Sequence, residues 1–312
     1  MKSIGSLVLG IILTLTVPTT ARRAAAMVAA LGDQTQQAKE LLEQARQALG
    51  GQRLDNVQSL SIDCKLQRAM GDDQVSGDAR LEFLLPDKFM QTETINLPMG
   101  DATLTRIIVV NGDQTWEDSN TSGSGTIVIK KPSDDPRARQ SRQNQLRNER
   151  ARSLLSLLLK SPAEFEFAYA GEAQADDGSA DVIDVKGPAN FAARLFLDKK
   201  SHYPLMMSYK AVAPRIITRS FSNTVVNREQ AEKHAADTEQ HVKEAEQEAA
   251  KTPASQNESE YQVRFADYKA VDGVMLPHKI TRAIDGKVNE ELEVQKYKIN
   301  PPMKPDRFEK KK

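Results

Sequence analysis

From residue 59 onward the chain alternates between apolar and polar positions. Leu60, Ile62, Cys64 and Leu66 are separated by Ser61, Asp63 and Lys65, with Gln67 following. Ala79, Leu81, Phe83 and Leu85 repeat the pattern against Arg80 and Glu82, with Leu84 as the exception. Successive side chains of an extended chain point to opposite faces, so a period of two predicts a strand with one dry and one wet face. The same reading places further strands at 88–97, 102–110, 113–117, 125–130, 164–170, 180–186, 191–198, 203–212, 216–226, 259–269, 274–284 and 288–298. Asn111-Gly112, Asp177-Gly178, Asp272-Gly273 and Asp285-Gly286 mark tight turns between them. About a dozen short antiparallel strands in sequence order form a sheet wide enough to curl, so a barrel or half-barrel is expected.

Three segments follow other patterns. Residues 33–49 read as a helix, with Asp33 as its cap, Ala38, Leu41, Leu42, Ala45 and Leu49 at helical spacing, and Gly50-Gly51 ending it. Residues 136–160 read as a second helix, capped by Asp134 or Asp135 with Pro136 in its first turn. Its first half is rich in arginine (Arg137, Arg139, Arg142, Arg147, Arg150 and Arg152), and its second half carries Leu154, Leu155, Leu157, Leu158 and Leu159. So dense a leucine cluster must be buried on more than one side, as a plug in the hollow of a curled sheet would be. Residues 227–258 are Glu-, Gln-, Ala- and Lys-rich, with Val242 and one proline as the only apolar residues besides alanine. Without an apolar face they form a solvated helix or a disordered insertion. The flanking strands 216–226 and 259–269 are expected to pair as one interrupted hairpin.

The N-terminus changes the picture of where the protein works. Lys2, the apolar run Ile4–Val17 and Ala24-Ala25-Ala26 have the order of a secretion signal. The expected organisation is a signal peptide over 1–26 and one domain over 27–312 carrying the 227–258 insertion. The run is shorter than the ~20 residues of a spanning helix. The chain balances 43 basic against 43 acidic residues, and loss of Lys2, Arg22 and Arg23 leaves the mature form slightly acidic. That argues against a nucleic-acid binder. The one cysteine, Cys64, excludes an internal disulfide and lies on the apolar side of its strand, as a buried structural thiol does.

Candidate chemistry is sparse. His234 and His241 stand two helical turns apart in the charged insertion, where surface histidines are ordinary; His278 follows Pro277 in a strand. There is no G-x-S-x-G, H-E-x-x-H, phosphate loop or C-x-x-C, and the Asp pairs sit in turns. No enzyme activity, cofactor or metal is therefore expected. What remains is the apolar inner face, with Met90, Met99, Met206, Met207 and Met275 as adaptable lining. Either it encloses a cavity for an apolar ligand or it is a filled core. The candidate ligand-binding residues are Leu60, Ile62, Leu66, Leu81, Phe83, Leu85, Trp116, Leu154, Leu158, Phe196, Met207 and Tyr209. Trp116 fits cavity lining and simple core equally well.

A series of local motifs adds a resemblance. Pro86-Asp87-Lys88-Phe89 is followed by Asn111-Gly112-Asp113 with Trp116, by Leu197-Asp198 through Tyr203-Pro204-Leu205, and by Asp267-Tyr268. Val271-Asp272-Gly273-Val274-Met275-Leu276-Pro277-His278, Ile299-Asn300-Pro301-Pro302 and Phe308 complete it. Over about residues 36–310 this resembles the bacterial outer-membrane lipoprotein-sorting superfamily, the LolA/LolB-like carriers. The resemblance implies a mainly β (α+β) fold, an unclosed antiparallel half-barrel of about 11 strands with helices across its concave face. It also implies a periplasmic carrier or binder of lipids or lipoprotein acyl chains. The alternative on the same fold is an envelope protein-interaction or stress-sensor module that contacts a membrane-protein partner. Pro86, Gly112, Gly273 and Pro277 read as fold-defining rather than ligand-contacting.

Overall fold

The computed structural model describes residues 19–71, 73–98, 102–122, 135–175, 178–212 and 258–310; side chains are described from residue 32. Helix α1 (Thr19–Leu49) leads through the short α2 (Gln52–Asp55) into β1 (Ser59–Met70). Strands β2 (Asp73–Leu84), β3 (Lys88–Asn96), β4 (Thr103–Asn111) and β5 (Gln114–Ser122) follow, then helix α3 (Pro136–Leu158). The second run is β6 (Glu166–Ala175), β7 (Gly178–Gly187), β8 (Phe191–Asp198), β9 (Pro204–Val212), β10 (Glu258–Val271), β11 (Val274–Ile284) and β12 (Lys287–Ile299), closed by a 3-10 turn at Pro305–Phe308.

All twelve strands join one sheet in the order β5-β4-β3-β2-β1-β12-β11-β10-β9-β8-β7-β6, and every described pairing is antiparallel. The sheet is not closed: β5 and β6 are its two edges. The chain steps outward from the centre through β1 to β5, transfers to the far edge, and steps inward again until β12 meets β1. The transfer is the segment containing α3, which therefore belongs between the two flanks.

Alternation decides which residues face inward. Leu60, Ile62, Cys64 and Leu66 of β1 are all buried, opposite Phe83, Leu81, Ala79 and Gly77 of β2. A Cβ on Gly77 would stand 2.0 Å from the Thr94 carbonyl oxygen, so only glycine permits β3 to approach here. The Asp272-Gly273 and Asp285-Gly286 turns take positive φ at both residues (48° and 79° in each), the mirror-image turn that suits the twist of a hairpin. At Asn111 the turn lies one residue later than the motif suggests: Asn111 pairs with Gln114, leaving Gly112 and Asp113 at the tip.

The twelve described strands match the dozen or so that alternation predicts, while other expectations are corrected. Asp33 does not cap a helix, because α1 runs without a break from Thr19 and Asp33 sits exposed on it. The hairpin partner of β10 is β9, with Tyr261 opposite Tyr209 and Val263 opposite Met207, and not the 216–226 stretch. That stretch, the 125–130 strand and the 227–258 insertion lie outside the described residues, as does most of the expected signal segment. The second helix is as expected: Asp135 caps it, its side chain accepting from the Arg137 N–H at 3.0 Å, and Pro136 opens it.

Candidate functional site

The candidate site is the concave face, which two helices cover. Helix α1 lies against β6 and β11 and turns Ala38, Ala45 and Leu49 into the interior. Helix α3 lies against β4 and β5 on one flank and β8 and β9 on the other. Its leucines are the plug that their density implies: Leu154, Leu155, Leu157, Leu158 and Leu159 are all buried in the main core with Phe83, Phe89, Leu195 and Met207.

Polar bonds hold α3 across the opening. Arg147 donates to the Asp113 carbonyl in the β4–β5 turn, and Asn148 donates to the Ala189 carbonyl in the β7–β8 turn at 3.4 Å. These two turns belong to opposite flanks, so consecutive residues of α3 bridge them. Arg150 donates to the Pro86 carbonyl at 2.6 Å, and Arg142 pairs with Glu117 of β5. Past the helix end, Lys160 donates to the Asp55 and Val57 carbonyls at 3.0 and 2.8 Å.

The same face carries an ionic chain. Arg68 continues the inward parity of β1 and holds Glu93 of β3 through two parallel bonds of 2.9 and 2.8 Å, while also pairing with Glu290 of β12. Arg282 of β11 lies 3.4 Å from Glu290 and donates at 2.9 Å to Glu149, the one acid of α3. Gln91 donates to Glu93 at 2.6 Å. Burial alone would raise the Glu93 carboxyl, but the Arg68 bonds and charge outweigh it and hold the group below the ordinary carboxylate range. Glu117 behaves likewise: desolvation opposes ionisation, and Arg142 and Arg106 overcome it. For Arg282 burial disfavours the cation, yet Glu149 and Glu290 more than restore it. No sequence pattern announced this cluster, because Arg68, Glu93, Arg282 and Glu290 read as solvent positions until register and bulges are known.

Of the expected ligand residues, Leu60, Ile62, Leu66, Leu81, Phe83, Leu154, Leu158 and Met207 are buried together in the main core, with Leu85 and Tyr209 packed at its margin. Trp116 and Phe196 do not join them. Trp116 pairs across from Val109 on the opposite face of the sheet, in a small cluster with Met90 and Phe308, and its Nε1 donates to the Phe308 carbonyl at 3.4 Å. Phe196 lies between buried Leu195 and Leu197, so it points outward beside Val182. Met90 and Met206 also face outward, opposite the parity of Phe89 and Met207, and Met99 lies outside the described residues. Cys64 is buried as expected, and desolvation foremost, then Asp63 and Glu290, pushes its thiol up to about 12.

Two recesses lie away from this packed region. Both are open notches at the sheet ends. One, of about 320 Å³, is lined by Gln67, Asp73, Val288 and Glu291 among others; the second, of about 590 Å³, lies by Asn111, Asp113 and Lys310. Neither touches the leucine cluster. Among the described residues no group of three or more His, Cys, Asp or Glu stands ready to hold a metal ion, and no helix is long and apolar enough to cross a membrane.

An open, curled, twelve-stranded antiparallel sheet with helices laid over one face defines the class. No protein-family model matches the chain, and no curated protein matches it. Among solved structures it is similar to a LolA superfamily protein from Nitrosomonas europaea: 12% identity over 88% of this chain and 97% of the other, TM-score 0.46. It is similar at 11% identity to a putative outer membrane lipoprotein-sorting protein domain from Vibrio parahaemolyticus, covering 87% and 97% of the two chains, TM-score 0.46. A DUF1329 family protein from Desulfovibrio piger matches at 9% identity, 87% and 97% coverage and TM-score 0.44. These are likenesses of fold.

Proposed function

We propose that this protein is an exported binder of lipids or lipoprotein acyl chains, described here with its binding trough closed by α3. The observation that carries the reading is the division of α3 itself. Its leucine end fills an apolar trough between two flanks whose outer edges, β5 and β6, no described strand pairing joins, while its arginine end rests on bonds to turns of both flanks. Leucine contacts are non-directional, so an acyl chain can replace them at about 0.8 kcal/mol per buried methylene. On this reading α3 is a displaceable plug: its buried leucines fill the trough at rest, and a ligand's chain takes their place.

Lipid extracted from the purified full-length protein and analysed by mass spectrometry tests this, together with titration of a fluorescent fatty-acyl probe. The reading predicts co-purifying lipid, or saturable probe uptake by the delipidated protein at one or two chains per molecule. An empty extract and no uptake overturn it.

A further inference from the structure

Five of the six arginines of α3 reach the sheet or its turns or sit on the helix's exposed first turns; Arg152 alone combines burial with the lack of an oxygen partner. Arg142 has Glu117, Arg147 has Asp113, and Arg150 has the Pro86 carbonyl, whereas Arg137 and Arg139 are exposed near the helix start. Arg152 is half-buried, and its guanidinium lies 3.7 Å above the Tyr209 ring centre and 5.5 Å from that of Phe191. Its Nε is enclosed and has no hydrogen-bond partner. The nearest acid on the helix, Glu149, is committed to Arg282. Buried Leu155 and Met207 belong to the same region, and Ser156 next along the helix turns its hydroxyl to the Arg152 carbonyl and the Met207 sulfur.

A ring face offsets part of a cation's desolvation but accepts none of its five N–H bonds. A guanidinium left in this state at the rim of an apolar trough is matched to an oxyanion, which it holds through short charge-assisted bonds. The Tyr209 ring beneath it carries a hydroxyl that burial keeps protonated, hence a donor. Resting on the acyl-binding reading above, we infer that Arg152 and Tyr209 receive the anionic head of an amphiphile, a carboxylate or a phosphate, while its tail takes the place of the α3 leucines.

The test uses the full-length delipidated protein and two fluorescent probes sharing one polyene chain, cis-parinaric acid and its methyl ester. Wild type should bind the acid about tenfold more tightly than the ester, the weight of a charged hydrogen-bonded contact. Arg152→Gln should bring the acid down to the ester and leave the ester unchanged, Arg152→Lys should keep part of the preference, and Tyr209→Phe should lose a smaller share. Oleate and lysophosphatidic acid competing against the ester separate the two head groups: the one whose potency falls further in R152Q is the head the site fits. An R152Q protein that folds, binds ester as wild type does and still prefers the acid overturns the assignment. Binding of neither probe by wild type overturns the acyl-binding reading instead.

Discussion

The concave face has two halves built on the same strands and closed by the same helix. On β1 the change falls within two residues: Leu60, Ile62, Cys64 and Leu66 meet the leucines and α1, and then Arg68 meets Glu93 and Glu290. The apolar half is held by contacts that depend on area alone, so one hydrocarbon surface can stand in for another. The ionic half is held by bonds with fixed directions between groups that are costly to leave unpaired. The difference teaches how a sheet open at both edges would keep its shape while its contents exchange, as the proposed function requires. The ionic half ties β1, β3, β11 and β12 together at the sheet's centre, and the apolar half is where the proposed ligand would enter.

Breaking the ionic half should have the largest effect. Arg282→Ala leaves buried Glu290 with one partner fewer and half-buried Glu149 without its partner, and should cost about 3 kcal/mol in urea or thermal unfolding. Arg282→Met in a Glu149→Gln, Glu290→Gln background should recover much of that, because the isolated charges go with it. Next comes the apolar half. Leu158→Ala should cost about 2–5 kcal/mol, but unlike the arginine change it should tighten binding of an acyl probe, since the plug then fills less of the trough. Equal loss of stability and probe affinity would remove the distinction between the halves.

A pH series sharpens the comparison further. The folded carboxyls of Glu93 and Glu117 lie below the unfolded value of about 4.3. Their stabilisation is therefore complete above that value and is lost as pH falls through the lower folded values. The melting temperature should be nearly flat from pH 7 to 5 and should drop below about pH 4, with a shallower drop in Glu117→Gln. The smallest effect belongs to the bridging bonds. Arg147→Ala should change stability by under about 1 kcal/mol, as part-exposed pairs do, yet should speed acyl-probe uptake in stopped-flow fluorescence.

How far the sequence reveals this architecture depends on the kind of signal. Alternation in β1 and most of β2, the Asp272-Gly273 and Asp285-Gly286 turns and the Asp135-Pro136 cap are local devices, and the structure follows them. The start of α1 was not legible, because Asp33 offers a cap where no breaker actually interrupts the helix. Phe196 fails for a different reason: Leu195, Phe196 and Leu197 are consecutive, so the parity of β8 is settled only by Phe191 and Ala193. Trp116 lies on a strand with few apolar neighbours, and its cover, Phe308, comes from the far end of the chain. The ionic chain joins residues up to 222 positions apart, and inward-pointing charges look like a wet face until their partners are known. Whether the inner face is hollow is a matter of volume, on which periodicity is silent.

The displacement of α3 is the central claim, and a distance measurement reaches it most directly. Gln145 on α3 and Lys186 on β7 are both exposed, and the native thiol of Cys64 is buried and protonated, so spin labels attach to a Q145C/K186C protein alone at the intended sites. Pulsed electron resonance on the delipidated protein should give one distance, and saturating oleate should add a second, longer one as α3 leaves the trough. An unchanged distance distribution with oleate bound stoichiometrically would contradict the account.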